Sequence, residues 1–306
     1  MQAFSTDAAE TIDLADQVRV KPTGLAAVLF WLRDFARRKP IAFGGGVVLV
    51  TAVLVAIFAD VIAPHNATDI GVAGKFLGPG GEGTLLGTDQ LGRDIFSRLI
   101  YGARISMYVG IVSVAIGITA GTLIGVASAY VGGWTDILLQ RLVDALMAFP
   151  PIILALGLMA ALGASVNNVV IALVVILVPG ATRVIRSQAL SIKELDYTLA
   201  ARSIGASSTR IMLRHMLPNV AATYIVLLTL TLGFAIVVEA ALSFLGVGIP
   251  PDVATWGSML ELGRENIDKQ GWMVVFPGFV IALIVFSVNF LGDGLRDVMD
   301  PKLRGR

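Results

Sequence analysis

Long apolar stretches alternate with short polar ones along most of the chain. A helix of about 20 apolar residues, rising about 1.5 Å per residue, crosses a hydrocarbon layer of about 30 Å. Six stretches suit this description, at residues 41–63, 105–131, 144–162, 169–186, 222–247 and 272–291. They predict an all-α integral membrane protein with six transmembrane helices.

The longest polar interruption between two spans covers residues 183–219. Within it, Ser191 and Glu194 have the spacing of a capping box, which begins a helix by satisfying its free N–H groups. We expect that helix to end at Gly205, because glycine tolerates the left-handed conformation that often follows a helix.

A second short helix is expected directly after this glycine. Ser207 or Ser208 can cap it, and it would cover residues 209–216. Pro218 then suits the first turn of the next span. Residues 187–218 are therefore predicted to form a helix, a glycine corner and a second helix on the water side of the membrane, a compact shape suited to docking on a protein outside the bilayer.

Residues 1–40 precede the first span, and residues 41–306 form the predicted transmembrane domain. The first part of the chain is polar and acidic and is expected to be a disordered cytosolic tail. Apolar residues then recur with helical spacing between Leu25 and Lys39, which predicts an amphipathic helix on the membrane surface. The alternative is that this helix only begins the first span.

The segment between the first two spans, residues 64–93, is rich in glycine and turn-forming residues. Asp94 can cap the helix that follows it. Arg93 and Arg98 are near enough in sequence to neutralise both Asp89 and Asp94. We therefore interpret the two aspartates as a helix cap and its neighbour, and not as a metal site or an acid–base pair.

Glycine recurs every four residues in the second span, at Gly117, Gly121 and Gly125. Without side chains at these positions, a neighbouring helix can approach closely and gain dispersion energy that lipid would not supply. We expect this face of the helix to pack against protein.

Prolines and charges are expected to shape the third span. Pro150 and Pro151 predict a kink in it. Arg141 and Asp144, three residues apart on a helix, are expected to pair at its entrance.

The fourth span is short and contains Pro179. It is expected to continue through Arg183 and Arg186, with both side chains reaching for the membrane surface. Beyond the fifth span, Trp256 and Trp272 suit the aromatic belt at a membrane interface.

Composition excludes several classes of function. Of 306 residues, 56% are hydrophobic and 15% are charged, which does not suit a soluble protein. The net charge of +1 gives no reason to expect nucleic-acid binding. The chain has no cysteine, and its two histidines, His65 and His215, lie far apart in sequence, so no metal site is expected.

Lysine and arginine predict the orientation. With the N-terminus inside, seventeen of the 23 basic residues fall in inner segments and six in outer segments. Cytoplasmic loops carry such an excess. Both termini and residues 187–218 are therefore predicted to be cytosolic.

The motifs of common enzymes are missing from the sequence. It contains no G-x-x-x-x-G-K-[ST] phosphate loop, no H-E-x-x-H and no G-x-S-x-G. The chain is predicted not to be an enzyme and to hold no cofactor of its own.

Glu239 is the one acidic residue expected well inside a span. A charge at the centre of a span costs about 2.5–3.5 kcal/mol on insertion scales, so its presence is informative. Glu239 and Ser243, one turn later, are candidates for a translocation pathway or gate. Glu239 could instead be a neutral carboxylic acid bonded to a neighbouring helix, or lie near enough to the outer surface to be hydrated.

Several motifs resemble the permease subunits of bacterial ABC importers. The EAA loop of that family has the pattern E-A-A, three residues, G, nine residues, I, one residue, L-P. Leucine replaces the glutamate here and histidine the isoleucine, since the pattern falls on Leu199, Ala200, Ala201, Gly205, His215, Leu217 and Pro218. The dipeptide, oligopeptide and nickel branch is the most similar, because of DYTLAARSIGAS, GTDQLGRDIFSRLIYGARIS, GGWTDILLQRLVDALMAFP and EAALSFLGVGIPP. The resemblance covers roughly residues 87–301.

This resemblance implies a type I ABC importer permease fold, in which a cytosolic coupling helix docks in a groove of an ATPase. The residues implied to make this contact are Leu199, Ala200, Ala201, Gly205, Ala206 and Ser207. The implied partners are a second homologous permease, two P-loop ATPases that bind ATP and Mg²⁺, and an extracytoplasmic solute-binding protein, at the bacterial cytoplasmic membrane. The implied substrate is a dipeptide or oligopeptide. Nickel or another small solute is the alternative, and an ion-coupled secondary transporter is a more distant one.

Overall fold

The computed structural model describes residues 24–299, which form α-helices joined by loops, with no β-strand in that range. Numbered in chain order, the helices are α1 (Leu25–Arg38), α2 (Pro40–Ile57), α3 (Ala59–Ile62), α4 (Ile95–Val131), α5 (Gly133–Met147), α6 (Pro151–Leu162), α7 (Val166–Lys193), α8 (Asp196–Ser203), α9 (Ser208–Ile211), α10 (Leu217–Phe244), α11 (Trp256–Glu265) and α12 (Trp272–Met299). A π-helical turn, Met212–Met216, joins α9 to α10.

Five helical segments are long and apolar enough to cross a membrane: α2, α4, α7, α10 with the turns before it, and α12. The pair α5 and α6, bent by 90°, makes a sixth if it is counted as one span. The prediction of an all-α membrane protein is confirmed. The third span, predicted at 144–162, is however broken and not merely kinked, because Pro150 and Pro151 cannot continue α5 and Pro151 begins α6.

The helix predicted before the first span is present as α1, whose last turn holds Arg37 and Arg38. Arg38 pairs through its Nε with Asp34 one turn earlier, at 2.9 Å. The helix ends at Arg38, and α2 begins at Pro40. Residues 1–23, predicted to be a tail, lie outside the described part of the chain.

Helix α2 is held near both of its ends. Near its beginning, Gly45 leaves no room for a side chain against the backbone of Ser287 in α12. At its other end, Arg104 of α4 donates from Nε to the carbonyl oxygen of Ala56 at 3.0 Å and pairs with Asp60 at 2.9 Å. The first span therefore ends at Ile57, before its predicted end at residue 63, and the short helix α3 follows it.

The helix expected to begin after Asp94 and to lead into the second span is present as α4, which runs from Ile95 to Val131. Asp94 caps it as predicted, and its Oδ2 accepts from the N–H of Ser97 at 2.9 Å. Arg93 and Arg98 both face Asp89, with N–O distances of 2.6 and 3.9 Å. The expectation that they also neutralise Asp94 is wrong, because the capping geometry turns that carboxylate toward the helix N–H groups.

Gly117, Gly121 and Gly125 of α4 face α7. A Cβ atom added to Gly121 would lie 2.6 Å from the Cβ of Ala181, and one added to Gly125 would lie 2.8 Å from a backbone oxygen of α7. One added to Gly117 would lie 3.0 Å from the Cβ of Leu177. The two helices thus approach to backbone contact along the whole stripe.

Helix α7 runs past Pro179 to Lys193, so the predicted continuation of the fourth span is confirmed. Both of its arginines form ion pairs: Arg183 pairs with Asp144, and Arg186 pairs with Asp136, both in α5. The expected pair of Asp144 with its own helix neighbour Arg141 is therefore wrong.

The loop between α10 and α12 contains a helix, α11, that the sequence did not predict. It begins with a capping box of Thr255 and Ser258. Trp256, in its first turn, is buried and donates its indole N–H to the carbonyl oxygen of Leu99 in α4 at 3.1 Å. The expectation that Trp256 lies in an interfacial belt is wrong, whereas Trp272 is exposed at the start of α12.

Candidate functional site

Residues 194–216 form the predicted arrangement of helix, glycine corner and helix, here called the knuckle. The predicted capping box of Ser191 and Glu194 is not formed, because α7 continues through Ser191 to Lys193. Helix α8 begins instead at Asp196, without a side-chain cap. Thr198 closes the junction by donating from Oγ1 to the carbonyl oxygen of Ile192 at 3.0 Å.

The corner has the geometry that favours glycine. Gly205 has a φ of +80°, in the left-handed region. Its N–H donates to the carbonyl oxygen of Arg202 at 3.0 Å, and the N–H of Ala206 donates to that of Ala201 at 3.1 Å. This pair of bonds is the Schellman motif, which satisfies the last carbonyl groups of α8 and reverses the chain.

The second half of the knuckle is capped by Ser207, whose Oγ accepts from the N–H of Arg210 at 3.4 Å. The chain then continues through α9 and the π-helical turn into α10, with Pro218 in the first turn of that helix, as predicted. Asn219 strengthens the passage by donating from Nδ2 to the carbonyl oxygen of His215 at 2.6 Å. The knuckle is therefore continuous with a membrane span.

The inner side of the knuckle packs against the bundle. Ala201 is only 7% exposed, and Ile211 and Met216 are fully buried in the same cluster. The cluster is completed by residues of α4, α7 and α10, namely Val126, Ala129, Ile185, Ala189, Ile192 and Val220. The expectation that Ala201 faces a partner is wrong, because the helical period places Thr198 and Ala201 together on the buried face of α8.

The outer side of the knuckle carries exposed apolar side chains. Ile204 is 87% exposed and Leu199 is 42% exposed. Ala200, Gly205 and Ser207 are exposed between and beside them, whereas Ala206 is half-buried. These five exposed residues, 199, 200, 204, 205 and 207, are here called the knuckle surface.

Ile204 is the member of this surface that the sequence reasoning missed. The signal was available, since Ile204 is a large apolar residue directly before Gly205, at the predicted corner on the water side of the membrane. With Leu199 it gives the knuckle an exposed apolar patch, and such patches mark contact sites. Exposed arginines, Arg202 and Arg210, flank the surface.

The knuckle is anchored to the spans that enter and leave it. Lys193, at the end of α7, donates from Nζ to the carbonyl oxygen of Ala129 in α4 at 3.2 Å. Gln188 donates from Nε2 to the carbonyl oxygen of Asn219 in α10 at 3.3 Å. The ends of α7 and α10 that adjoin the knuckle are therefore tied to each other and to α4.

Glu239 lies in a buried polar cluster at the other end of α10. It is fully buried, so the interpretation of this residue as hydrated is wrong. Ser106 of α4 lies 3.3 Å from its Oε2, and Ser243 lies 3.3 Å from its Oε1. The two serines in turn accept backbone N–H groups, from Trp256 to Ser106 and from Ile249 to Ser243, each at 3.2 Å.

These bonds determine what Glu239 does in this structure. Each serine hydroxyl accepts one backbone N–H and donates its own proton to one carboxyl oxygen. Glu239 therefore joins α4, α10, the following loop and the beginning of α11. The geometry supports the interpretation of a carboxyl group bonded to a neighbouring helix, and Ser243 has the same role.

The described part of the chain shows no cluster of metal-binding side chains. Residues 24–299 contain no group of three or more histidine, cysteine, aspartate or glutamate side chains placed to hold an ion. The knuckle surface, with its apolar and small residues, is suited to contact with protein and not to chemistry.

Comparisons with protein families and with characterised proteins identify similar chains. Residues 117–305 match the family described as the binding-protein-dependent transport system inner membrane component. Residues 30–79 match the N-terminal transmembrane domain of oligopeptide transport permease C.

Similar full-length proteins are found in several bacteria. A Brucella suis protein described as a peptide transport system permease is 42% identical over 92% of this chain and 94% of its own length. A dipeptide transport system permease protein of Alkalihalophilus pseudofirmus is 40% identical over 91% of this chain and 92% of its own length. A glutathione transport system permease protein of Pectobacterium atrosepticum is 37% identical over 90% of this chain and 91% of its own length.

Proposed function

Because the chain belongs to the family of binding-protein-dependent transport system inner membrane components, we propose that it forms half of a peptide translocation pathway in an ATP-driven importer and that the knuckle surface is the docking site for an ATPase. Its partners in this proposal are a second homologous permease, two P-loop ATPases and an extracytoplasmic solute-binding protein. ATP and Mg²⁺ belong to the ATPases. Family membership favours this function over an ion-coupled secondary transporter.

Short peptides are the proposed substrate class. The relatives described above are named for peptide, dipeptide and glutathione transport. Glutathione is itself a small peptide, so the three names agree on one chemical class. This agreement favours a peptide over nickel as the solute carried.

Ile204 is the observation that supports docking at the knuckle. It is 87% exposed on a corner whose backbone is fixed by the Schellman bonds and by buried Ala201. Burying one isoleucine side chain in a partner's groove stabilises a complex by about 1.5–3 kcal/mol. Because Ala200 and Gly205 beside it are small, a groove can close around Ile204 without obstruction.

The mechanism that we propose is mechanical. The ATPases close on ATP and displace the knuckle, and this chain converts the displacement into alternating access of the pathway. The knuckle connects α7 and α10 directly, so both spans take part in the movement. The excess of basic residues in the segments on the knuckle's side supports a cytosolic position for the knuckle and for both termini.

Substitution of Ile204 by aspartate tests the docking site. Ile204→Asp places a charge where the contact must be dry, and we expect ATPase recovery in a pull-down to fall by about tenfold or more. Insertion in the membrane and pairing with the second permease should be unchanged, because the side chain is exposed and lies outside the spans.

Ile267→Asp is the matched control, because Ile267 is also exposed but lies in the loop between α11 and α12. This variant should recover the ATPases normally. Full ATPase recovery with Ile204→Asp would show that the knuckle surface is not the docking site.

A further inference from the structure

Helix α5 presents its polar face to the protein and its apolar face outward. Trp134, Leu138 and Leu142, spaced by four residues, are 78%, 65% and 61% exposed. The opposite stripe contains Asp136 and Asp144, which are turned toward α7. This arrangement suits a helix whose exterior meets hydrocarbon or a second permease and whose interior contacts are polar.

Two ion pairs join α5 to α7. Arg186 binds both carboxylate oxygens of Asp136, from Nε at 2.7 Å and from Nη2 at 2.6 Å. Ser128 of α4 donates to the same carboxylate, and Gln140 donates to Ser128 at 3.1 Å. The second pair, between Arg183 and Asp144, is more open to solvent.

Apolar packing contributes little to this junction. Val143 is the only residue of α5 that is buried. The junction of α4 with α7 is very different, since glycine stripes bring those backbones into contact. A paired and hydrogen-bonded guanidinium–carboxylate contact in a partly desolvated place is therefore the main connection that α5 has to α7.

The position of this connection links two parts of the molecule. Arg186 lies two turns before Lys193, where α7 ends and the knuckle begins. Asp136 lies in the first half of the span that is broken by 90° at Pro150. The connection therefore stands between the knuckle and the span that is broken at Pro150 and Pro151.

We infer that Asp136 and Arg186, assisted by Asp144 and Arg183, are positioning residues through which movement of the knuckle is transmitted to α5, the first half of the bent span. The inference rests on the proposed function, in which an ATPase moves the knuckle. Removing either partner of the main pair uncouples α5 from α7, while the knuckle, which packs on α4, α7 and α10, keeps its docking surface.

Reversal of one charge tests this inference in the assembled transporter. Arg186→Asp places two carboxylates against each other and breaks the pair. The double variant Asp136→Arg with Arg186→Asp restores a pair of opposite sign. Arg296→Asp is the control, because it makes the same change of charge at an exposed arginine of α12.

The measurement is the movement of the end of α5 in response to nucleotide. Because the chain has no cysteine, spin labels can be attached at Met147→Cys, at the end of α5, and at Phe279→Cys, on α12, both exposed. The distance between the labels is compared in complexes without nucleotide and with a non-hydrolysable ATP analogue. ATPase recovery is measured on the same samples.

We expect the analogue to change the label distance in the otherwise unchanged chain and in Arg296→Asp. In Arg186→Asp the change should shrink by about threefold or more, with ATPase recovery unaltered, and the charge-swapped double variant should restore it. If Arg186→Asp does not assemble, the double variant Asp136→Asn with Arg186→Gln is measured in its place. It removes the ion pair without leaving an unpaired charge.

An undiminished distance change in the variants that lack the ion pair would overturn the inference. The inference would also be overturned if the ATP analogue caused no measurable change of the label distance in the chain with the native ion pair. A merely structural role would reduce the amount of complex and leave the movement within assembled complexes intact. Failure of the docking proposal is a separate result, because it appears in the ATPase recovery of Ile204→Asp and not in the label distances.

Discussion

Trp256 donates its indole N–H to the carbonyl oxygen of Leu99 at 3.1 Å. The two residues belong to α11 and α4, which are far apart in sequence. The backbone N–H of Trp256 also donates to Ser106 of α4, so the first residue of α11 is bonded twice to the same helix. The beginning of α11 is thus fixed on the bundle by one residue, which donates both its backbone N–H and its indole N–H to α4.

Substitution of Trp256 should therefore destabilise the protein in two steps. Trp256→Phe keeps most of the apolar contact and loses one hydrogen bond, which costs about 1 kcal/mol. Trp256→Ala also leaves a cavity, and the cost should reach about 3–5 kcal/mol. Thermal unfolding of the purified chain measures both. Trp134→Ala, at an exposed tryptophan, is the control and should change little.

Gly205 should tolerate substitution poorly for reasons of backbone conformation alone. A Cβ at this position would meet no atom within 4 Å, but φ is +80°. Alanine there should cost about 1 kcal/mol, and valine more, because a β-branched residue resists the left-handed conformation. ATPase recovery in a pull-down should fall in the same order as the corner is distorted.

Gly180 provides the control for this series. It lies in α7 with ordinary helical geometry and equally open space. Gly180→Ala should leave the complex unchanged or slightly stabilise α7. Equal effects of valine at residues 180 and 205 would show that the left-handed corner does not matter for docking.

The stability of the protein should depend on the number of hydrogen-bond acceptors at residue 239. Glu239→Gln keeps the shape but replaces one acceptor oxygen by a donor group, so one of the bonds from Ser106 and Ser243 is lost. Glu239→Ala removes both bonds and leaves a cavity. We expect glutamine to lower stability by about 1–2 kcal/mol and alanine by more, as measured by thermal unfolding.

Ser106→Ala distinguishes this explanation from a role in the pathway. It should cost about as much as Glu239→Gln, because it also leaves one partner of the cluster unpaired. A variant of Glu239 that unfolds normally but abolishes peptide uptake would instead place this carboxyl on the translocation pathway.

The orientation predicts which exposed residues a membrane-impermeant thiol reagent can reach. Single cysteines are readily placed, since the chain has none. Leu85→Cys, in the segment before α4, should be labelled in intact cells, and Ser208→Cys, in the knuckle, should be labelled only after the membrane is opened. The reverse pattern would place the knuckle outside and exclude docking of a cytosolic ATPase.

The spans and the knuckle were predictable from sequence because each depends on a local pattern. Apolar length predicts the spans, and serine, glycine and proline predicted the cap at Ser207, the corner at Gly205 and the start of α10 at Pro218. The boundary between α7 and α8 was not predictable in this way. Ser191 has a capping-box pattern, but α7 is packed against the bundle and continues through this residue to Lys193, so no new helix begins there.

Contacts between helices explain the other errors. Asp144 pairs with Arg183 of α7 and not with Arg141 of its own helix. Sequence spacing on a single helix does not show that α5, which is bent by 90° from α6, lies beside α7. Helix α11 was missed because it is short and its cap is a threonine paired with a serine, a weaker signal than the usual glutamate. Trp256 was expected at a membrane interface because the sequence does not show its hydrogen bond to Leu99, which is far away along the chain.

The continuity of the knuckle with α10 makes this segment a lever. Residues Ser208–Phe244 form one continuous helical segment of 37 residues. Ser208 and Glu239 on it are separated by about 45 Å along the axis, at about 1.5 Å per residue. In the proposed mechanism a push near Ser208 is carried along this segment toward Glu239, so the water-exposed docking end and the bonds that hold α11 belong to a single mechanical part.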